Sequence, residues 1–156
     1  MSERNRWLAM TDAELSVQCE LEFSKGSGNG GQHRNKTSSA VRVCHLPSGL
    51  SGEDCTDRSQ HTNRGRALRK LRLKIAFGFR EEPAPLFRPR VAVEHADYPL
   101  WCAVLLDHLA AADWNPPEAA LSLGMTASAL VKLLYRDPEL WQEVNSHRRI
   151  PLRKPS

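Results

Sequence analysis

Lys25-Gly26-Ser27-Gly28-Asn29-Gly30-Gly31-Gln32-His33-Arg34-Asn35-Lys36 is the stretch on which the reading of this chain turns. Four of its first seven residues are glycine, and cations stand at both ends. Glycine lets the backbone approach a ligand closely but loses the most freedom on folding, so such a cluster is costly without a use. A Gly/Ser linker would be the plain interpretation, but both flanks carry patterns of their own. Before the loop, Val17, Cys19, Leu21 and Phe23 alternate with Ser16, Gln18, Glu20, Glu22 and Ser24. That period of two predicts a half-buried strand over residues 16–24. After it, residues 35–39 suit a helical turn and residues 40–46 read as a second strand. Pro47-Ser48-Gly49 is turn chemistry, which makes residues 50–55 an antiparallel third strand. Gly52 within that strand points to a bulge or a close backbone contact.

A helix over residues 59–77 comes next, with Ala67, Leu68, Leu71 and Ile75 forming an apolar stripe able to cover the sheet. Upstream, Thr11-Asp12-Ala13-Glu14 has the form of a capping box and predicts a helical turn over residues 12–15. The fold class is α+β: a small antiparallel sheet with a packed helix, succeeded by a small helical region.

Charge is distributed unevenly along the chain. Residues 1–77 hold 13 Lys/Arg against 8 Asp/Glu, whereas residues 78–156 hold 9 against 10. Arg64, Arg66, Arg69, Lys70, Arg72 and Lys74 succeed one another with no acid among them. With a sequence pI near 9.1, this is the footprint of a polyanionic partner, expected to be spread over the faces of the helix not used by the apolar stripe. No apolar run approaches the roughly 20 residues of a membrane span, and the first 15 residues have no signal core. Cys19, Cys44, Cys55 and Cys102 form no Cys-x-x-Cys pair, which speaks against a zinc site or a disulfide framework, and reduced thiols are expected.

Residues 78–99 contain Pro83, Pro85, Pro89 and Pro99 and read as a linker or wrapping segment. Residues 100–146 read as a helical bundle. An apolar helix spans residues 101–114, and a short one opens at Pro117 and stops at Gly124. Thr126 caps the next, and Asp137-Pro138 starts the last. Residues 147–156 form a basic tail. The four segments expected are therefore 1–77, 78–99, 100–146 and 147–156.

The loop itself holds no serine–histidine–acid set, paired carboxylates or metal ligands, and the neutral amide of Gln32 cannot act as a base. Catalysis there would come from positioning and hydrogen bonding, worth roughly 7–11 kcal/mol for oriented reactants and about 2.7–4 kcal/mol for one oxyanion donor. A flexible tip supplies neither alone, so a partner must provide the pocket.

Four runs of residues carry a family resemblance. They are residues 28–37, Gly-Asn-Gly-Gly-Gln-His-Arg-Asn-Lys-Thr; residues 38–43, Ser-Ser-Ala-Val-Arg-Val; residues 45–50, His-Leu-Pro-Ser-Gly-Leu; and residues 57–64, Asp-Arg-Ser-Gln-His-Thr-Asn-Arg. In order and near spacing they resemble the Gly-Gly-Gln domain of class I peptide chain release factors and their short ribosome-rescue relatives. The likeness covers about residues 15–77. It implies that Gly30, Gly31 and Gln32 enter the peptidyl transferase centre of the large ribosomal subunit and promote hydrolysis of the peptidyl-tRNA ester. It further implies that Lys25, His33, Arg34, Asn35 and Lys36 contact ribosomal RNA, joined by Arg58, Gln60, Asn63, Arg64, Arg66, Arg69 and Lys70. Arg148, Arg149, Arg153 and Lys154 of the tail would add a second contact. The partners implied are the ribosome and its peptidyl-tRNA; no cofactor, metal or membrane is called for, and a cytoplasmic monomer is expected. Arg34 stands where the family usually has an aliphatic residue. No Pro-x-Thr or Ser-Pro-Phe tripeptide and no room for a codon-reading domain are present, so the expectation is the codon-independent rescue type. Two other readings stay open: a ribosome- or RNA-binding module without the reaction, and a DNA-binding helix-turn-helix at residues 117–134.

Overall fold

The structure, a computed structural model, describes residues 1–24 and 39–156. Among the described residues are seven helices and three strands: α1 (Glu3–Ala9), α2 (Asp12–Val17), β1 (Cys19–Ser24), β2 (Ala40–His45), β3 (Ser51–Asp54), α3 (Gln60–Gly78), α4 (Tyr98–Ala111), α5 (Pro116–Leu123), α6 (Ala127–Tyr135) and α7 (Pro138–Ser146). The chain divides into two compact units, Met1–Ile75 and Ala76–Ser156.

In the first unit the strands form one antiparallel sheet in the order β1-β2-β3. Leu21 pairs with Val43, which in turn pairs with Gly52. Val41 and Val43 are buried while Arg42 between them is exposed, the alternation of a sheet with one covered face. Gly49, in the left-handed region at φ 74°, turns β2 into β3. Ala67, Leu68, Leu71 and Ile75 of α3 are fully or almost fully buried. The hint at Gly52 resolves into close approach: a Cβ built there would lie 2.3 Å from the Ala67 carbonyl oxygen and 2.7 Å from the Leu71 nitrogen.

Two expectations near the N-terminus are corrected. The capping box forms, with Thr11 and Glu14 bonding reciprocally. The helix it starts, however, runs to Val17, so β1 begins at Cys19 and not at residue 16. Val17 is consequently 85% exposed rather than turned inward. A further helix, α1, precedes it and buries Trp7 and Leu8. The basic stripe also divides. Arg72 is only 7% exposed, pairs with Asp12 at 2.9 Å, and donates to the carbonyl oxygens of Trp7 and Leu8 at the end of α1. The Trp7 carbonyl also accepts from the Met10 N–H that caps the helix, and the guanidinium adds a partner for the carbonyls that α1 leaves at its end.

The second unit is built on α4, which from Tyr98 to Leu109 is buried at every residue but the half-buried Leu100, as a central helix must be. It starts three residues before the expected 101, because Pro99 sits in its first turn, where a missing N–H costs nothing. It ends at Ala111, with Asp113 and Trp114 in left-handed backbone. Residues 79–97 run without helix or strand against α4. Asp107 accepts from the Glu81 N–H at 3.0 Å and pairs with Arg80 at 3.1 Å. His108 Nε2 bonds the Ala84 carbonyl at 2.7 Å, and Trp101 Nε1 donates to that of Arg88 at 3.0 Å. The short helices begin and end on their punctuation: Thr126 accepts from the Ala129 N–H, Asp137 from that of Glu139, and Gly124 closes α5 at φ 71°.

Candidate nucleic-acid interface at the loop base

Gly30, Gly31 and Gln32 lie outside the described residues, as do Lys25, His33, Arg34, Asn35 and Lys36 and all but Ser39 of the expected turn at residues 35–39. The structure does place both ends of that loop. The sheet register sets Ser24 opposite Ala40 and Phe23 opposite Val41, so the ladder brings the two stems together.

Asn63, the fourth residue of α3, fastens the returning stem. It is completely buried, and its Nδ2 donates to the Ser39 carbonyl at 2.7 Å and the Asp57 carbonyl at 2.9 Å. Its Oδ1 accepts from the Asp57 N–H at 2.9 Å. One carboxamide thus ties the end of the loop, the segment carrying Arg58, and the start of α3. Asn63 is therefore placed as a pin and offers no surface to RNA. The helix start is shaped by the same segment: Asp57 accepts from the Ser59 N–H, and the Ser59 hydroxyl from that of Thr62.

Around this pin the basic residues sort by geometry. Arg58, Gln60 and Arg66 are exposed, and Arg64 and Arg69 half-buried. Arg66 donates to the Thr56 hydroxyl at 2.6 Å. Lys70 pairs with Asp54 at 2.9 Å and donates to the Glu53 carbonyl at 3.1 Å. Arg66 and Lys70, four apart, share a helix face. A groove of about 470 Å³ beside the loop stems is lined by Phe23, Ala40, Val41, Asp54, Thr56 and Lys70. In the second unit Arg149, Arg153 and Lys154 are exposed. Arg148 is held, donating to the carbonyls of Trp114 and Ile150.

The sequence offered a weak signal for Asp54, an acid at an inward position of an alternating strand. Burial pushes its carboxyl up, but hydrogen bonds from Lys70 and from the Thr56 hydroxyl and N–H outweigh this and hold it down at about 2. The native pKa lies below the unfolded value near 3.9, so the ionised form favours folding. This stability is fully present above about pH 4 and is lost as pH falls through 2. His45 acts in the same sense at higher pH: burial lowers its pKa, so its contribution is complete above the unfolded value of about 6.5 and declines below it. Its ring nitrogens contact Ser48 and Gln18 at 2.7 and 2.9 Å, leaving neither for a metal. Thermal melts from pH 7 to pH 2 are expected to show both declines. Lys70→Met should flatten the lower one, worth roughly 2 kcal/mol in the parent.

Residues 12–88 match the RF-1 domain family. Residues 12–88 belong to that family. Over 77 residues the chain is 47% identical to a peptide chain release factor 1 from Leptothrix cholodnii, an alignment covering 49% of this chain and 20% of that protein. A peptide chain release factor 2 from Acidithiobacillus ferrooxidans is 57% identical over 56 residues, 36% of this chain and 15% of that one. A release factor 1 from Xylella fastidiosa is 43% identical over 75 residues, 46% of this chain and 21% of that protein. The chain thus spans between 15% and 21% of the length of these relatives. The RF-1 match contains the loop, its two stems, Asn63 and the basic face of α3.

Proposed function

We propose that the RF-1 unit carries Gly30-Gly31-Gln32 into a pocket supplied by the large ribosomal subunit and promotes hydrolysis of the peptidyl-tRNA ester there without reading a stop codon. Water attacks the ester carbonyl carbon, the bond to the ribose oxygen breaks, and that oxygen leaves with a proton. Gln32 contributes a backbone N–H to the developing oxyanion, and its side chain places the water. Arg58, Gln60, Arg64, Arg66 and Arg69, with Lys25, His33, Arg34, Asn35 and Lys36, contact ribosomal RNA backbone, which positions without reading sequence. Lys70 joins them through the exposed part of its side chain, and Arg149, Arg153 and Lys154 act from the tail.

What carries the reading is one observation. The family match brackets a Gly-Gly-Gln loop whose two stems are held side by side by the β1–β2 ladder, the returning one pinned at Ser39 by Asn63. The codon-independent form is supported by the sequence, which contains neither a Pro-x-Thr nor a Ser-Pro-Phe tripeptide.

The test is release of labelled peptide from ribosomal complexes carrying a sense codon, or no codon, in the decoding site. Release is expected in both, should weaken steeply with salt, and should vanish with Gln32→Ala. Release only at stop codons would overturn the codon-independent form. Ribosome binding without release would make the chain a binding module. Equal cleavage of peptidyl-tRNA free in solution would remove the ribosome from the mechanism.

A further inference from the structure

The second unit carries a groove of about 410 Å³ that is independent of the loop chemistry. Its walls are Pro89, Met125, Ala129 and Leu133, and its rim is Arg90, Lys132 and Arg136. Ala129, Lys132 and Leu133 of α6 and its C-cap residue Arg136 stand at i, i+3, i+4 and i+7, one face of the helix. The opposite side is spent on the core through Leu130 and Leu134. Arg136 is fixed in place: its guanidinium lies 5.2 Å from the Trp101 ring centroid and 5.6 Å from that of Tyr98, and it donates to the Val91 carbonyl. Its Nε is buried with no partner among the described residues.

Three cations therefore rim an apolar floor, and no acidic side chain lines it. Residues 78–156 hold 9 Lys/Arg against 10 Asp/Glu, so this is a local concentration and not a reflection of the unit's charge. Arg90 and Lys132 are exposed, and neither forms an ion pair among the described residues. An apolar floor gives phosphates nothing to bond, whereas it accepts aliphatic side chains; a thioether such as that of Met125 adapts to their shape.

We propose that this groove receives an amphipathic helix of another protein, with its apolar stripe on Met125, Ala129 and Leu133 and acidic residues against Arg90, Lys132 and Arg136. This is the helix-in-groove mode with charge setting the register.

The test uses the full chain and a fluorescein-labelled helical peptide of about 18 residues, with leucine at i, i+3, i+4 and i+7 and glutamate elsewhere. A counterpart replaces glutamate by lysine. Anisotropy titration is expected to show saturable binding of the glutamate peptide, weaker by at least about tenfold for the lysine peptide and for Arg90→Glu/Lys132→Glu. Ala129→Trp, which fills the groove from an exposed position, should abolish it. Absence of binding, equal affinity for the two peptides, or full affinity in Ala129→Trp would each overturn the proposal. So would displacement of the peptide by a single-stranded RNA or duplex DNA oligonucleotide, or a dimer in sedimentation that Ala129→Trp dissolves.

Discussion

Gly52→Ala is expected to lose at least about 3 kcal/mol of stability, the upper end of what overpacking costs. A Cβ at this position would stand 2.3 Å from the Ala67 carbonyl oxygen, 2.7 Å from the Leu71 nitrogen and 3.2 Å from its Cα. All three are main-chain atoms of α3, so no side chain can rotate out of the way. Either α3 lifts from the sheet, opening the contacts of Ala67, Leu68 and Leu71, or β3 moves out of register with Val43. Gly65, by contrast, would set its Cβ in open space. Gly65→Ala within the same helix should therefore gain about 0.5–1 kcal/mol. Urea denaturation monitored by circular dichroism measures both, and a loss below about 1 kcal/mol for Gly52→Ala, the lower end of overpacking costs, would show that the helix does not rest on the strand this closely.

Gly52 also shows what was legible in advance. A glycine inside an alternating strand signals a missing side chain, and the sequence could offer a bulge or a close neighbour, but only the packed helix decides between them. β2, β3 and α3 were legible because a period of two, a Pro-Ser-Gly turn and an apolar stripe are local properties. The start of β1 was not, since Ser16 and Val17 continue the alternation while belonging to a helix that the capping box at Thr11 and Glu14 prolongs. α1 was missed because seven residues with little periodicity, although capped by Ser2, need tertiary contacts to hold a helix. Those contacts are Trp7 edge-on to His45 at 4.9 Å and Arg72 on its last carbonyls. Arg72 illustrates the limit of charge counting. Six successive cations look alike in sequence, yet one is turned inward to Asp12 and another, Lys70, is engaged by Asp54.

Asn63 is where motif likeness and geometry part most sharply, and its replacement should have the largest effect on function. Motif likeness grouped it with RNA contacts, whereas burial and three hydrogen bonds place it inside the protein. Asn63→Ala leaves the buried Ser39 carbonyl and the part-buried N–H and carbonyl of Asp57 without these partners. Each unsatisfied group costs about 1–3 kcal/mol, so the three together are expected to cost at least about 3 kcal/mol. Asn63→Asp keeps the acceptor for Asp57 but sets an anion against two carbonyls, and should be no better. Because Ser39 is the stem by which the loop returns to β2, loosening it displaces the loop tip, and a misplacement of about 1 Å can cost roughly 100-fold in rate. Peptide release by folded Asn63→Ala, measured well below its melting temperature, should accordingly fall by about that factor. Ribosome binding should stay within about threefold and keep its salt dependence, since no phosphate contact has been removed. An RNA contact would behave oppositely, with binding weakened and the salt slope reduced. Comparing Asn63→Ala with Arg66→Ala in the two assays therefore separates a residue that aims the loop from one that grips the ribosome.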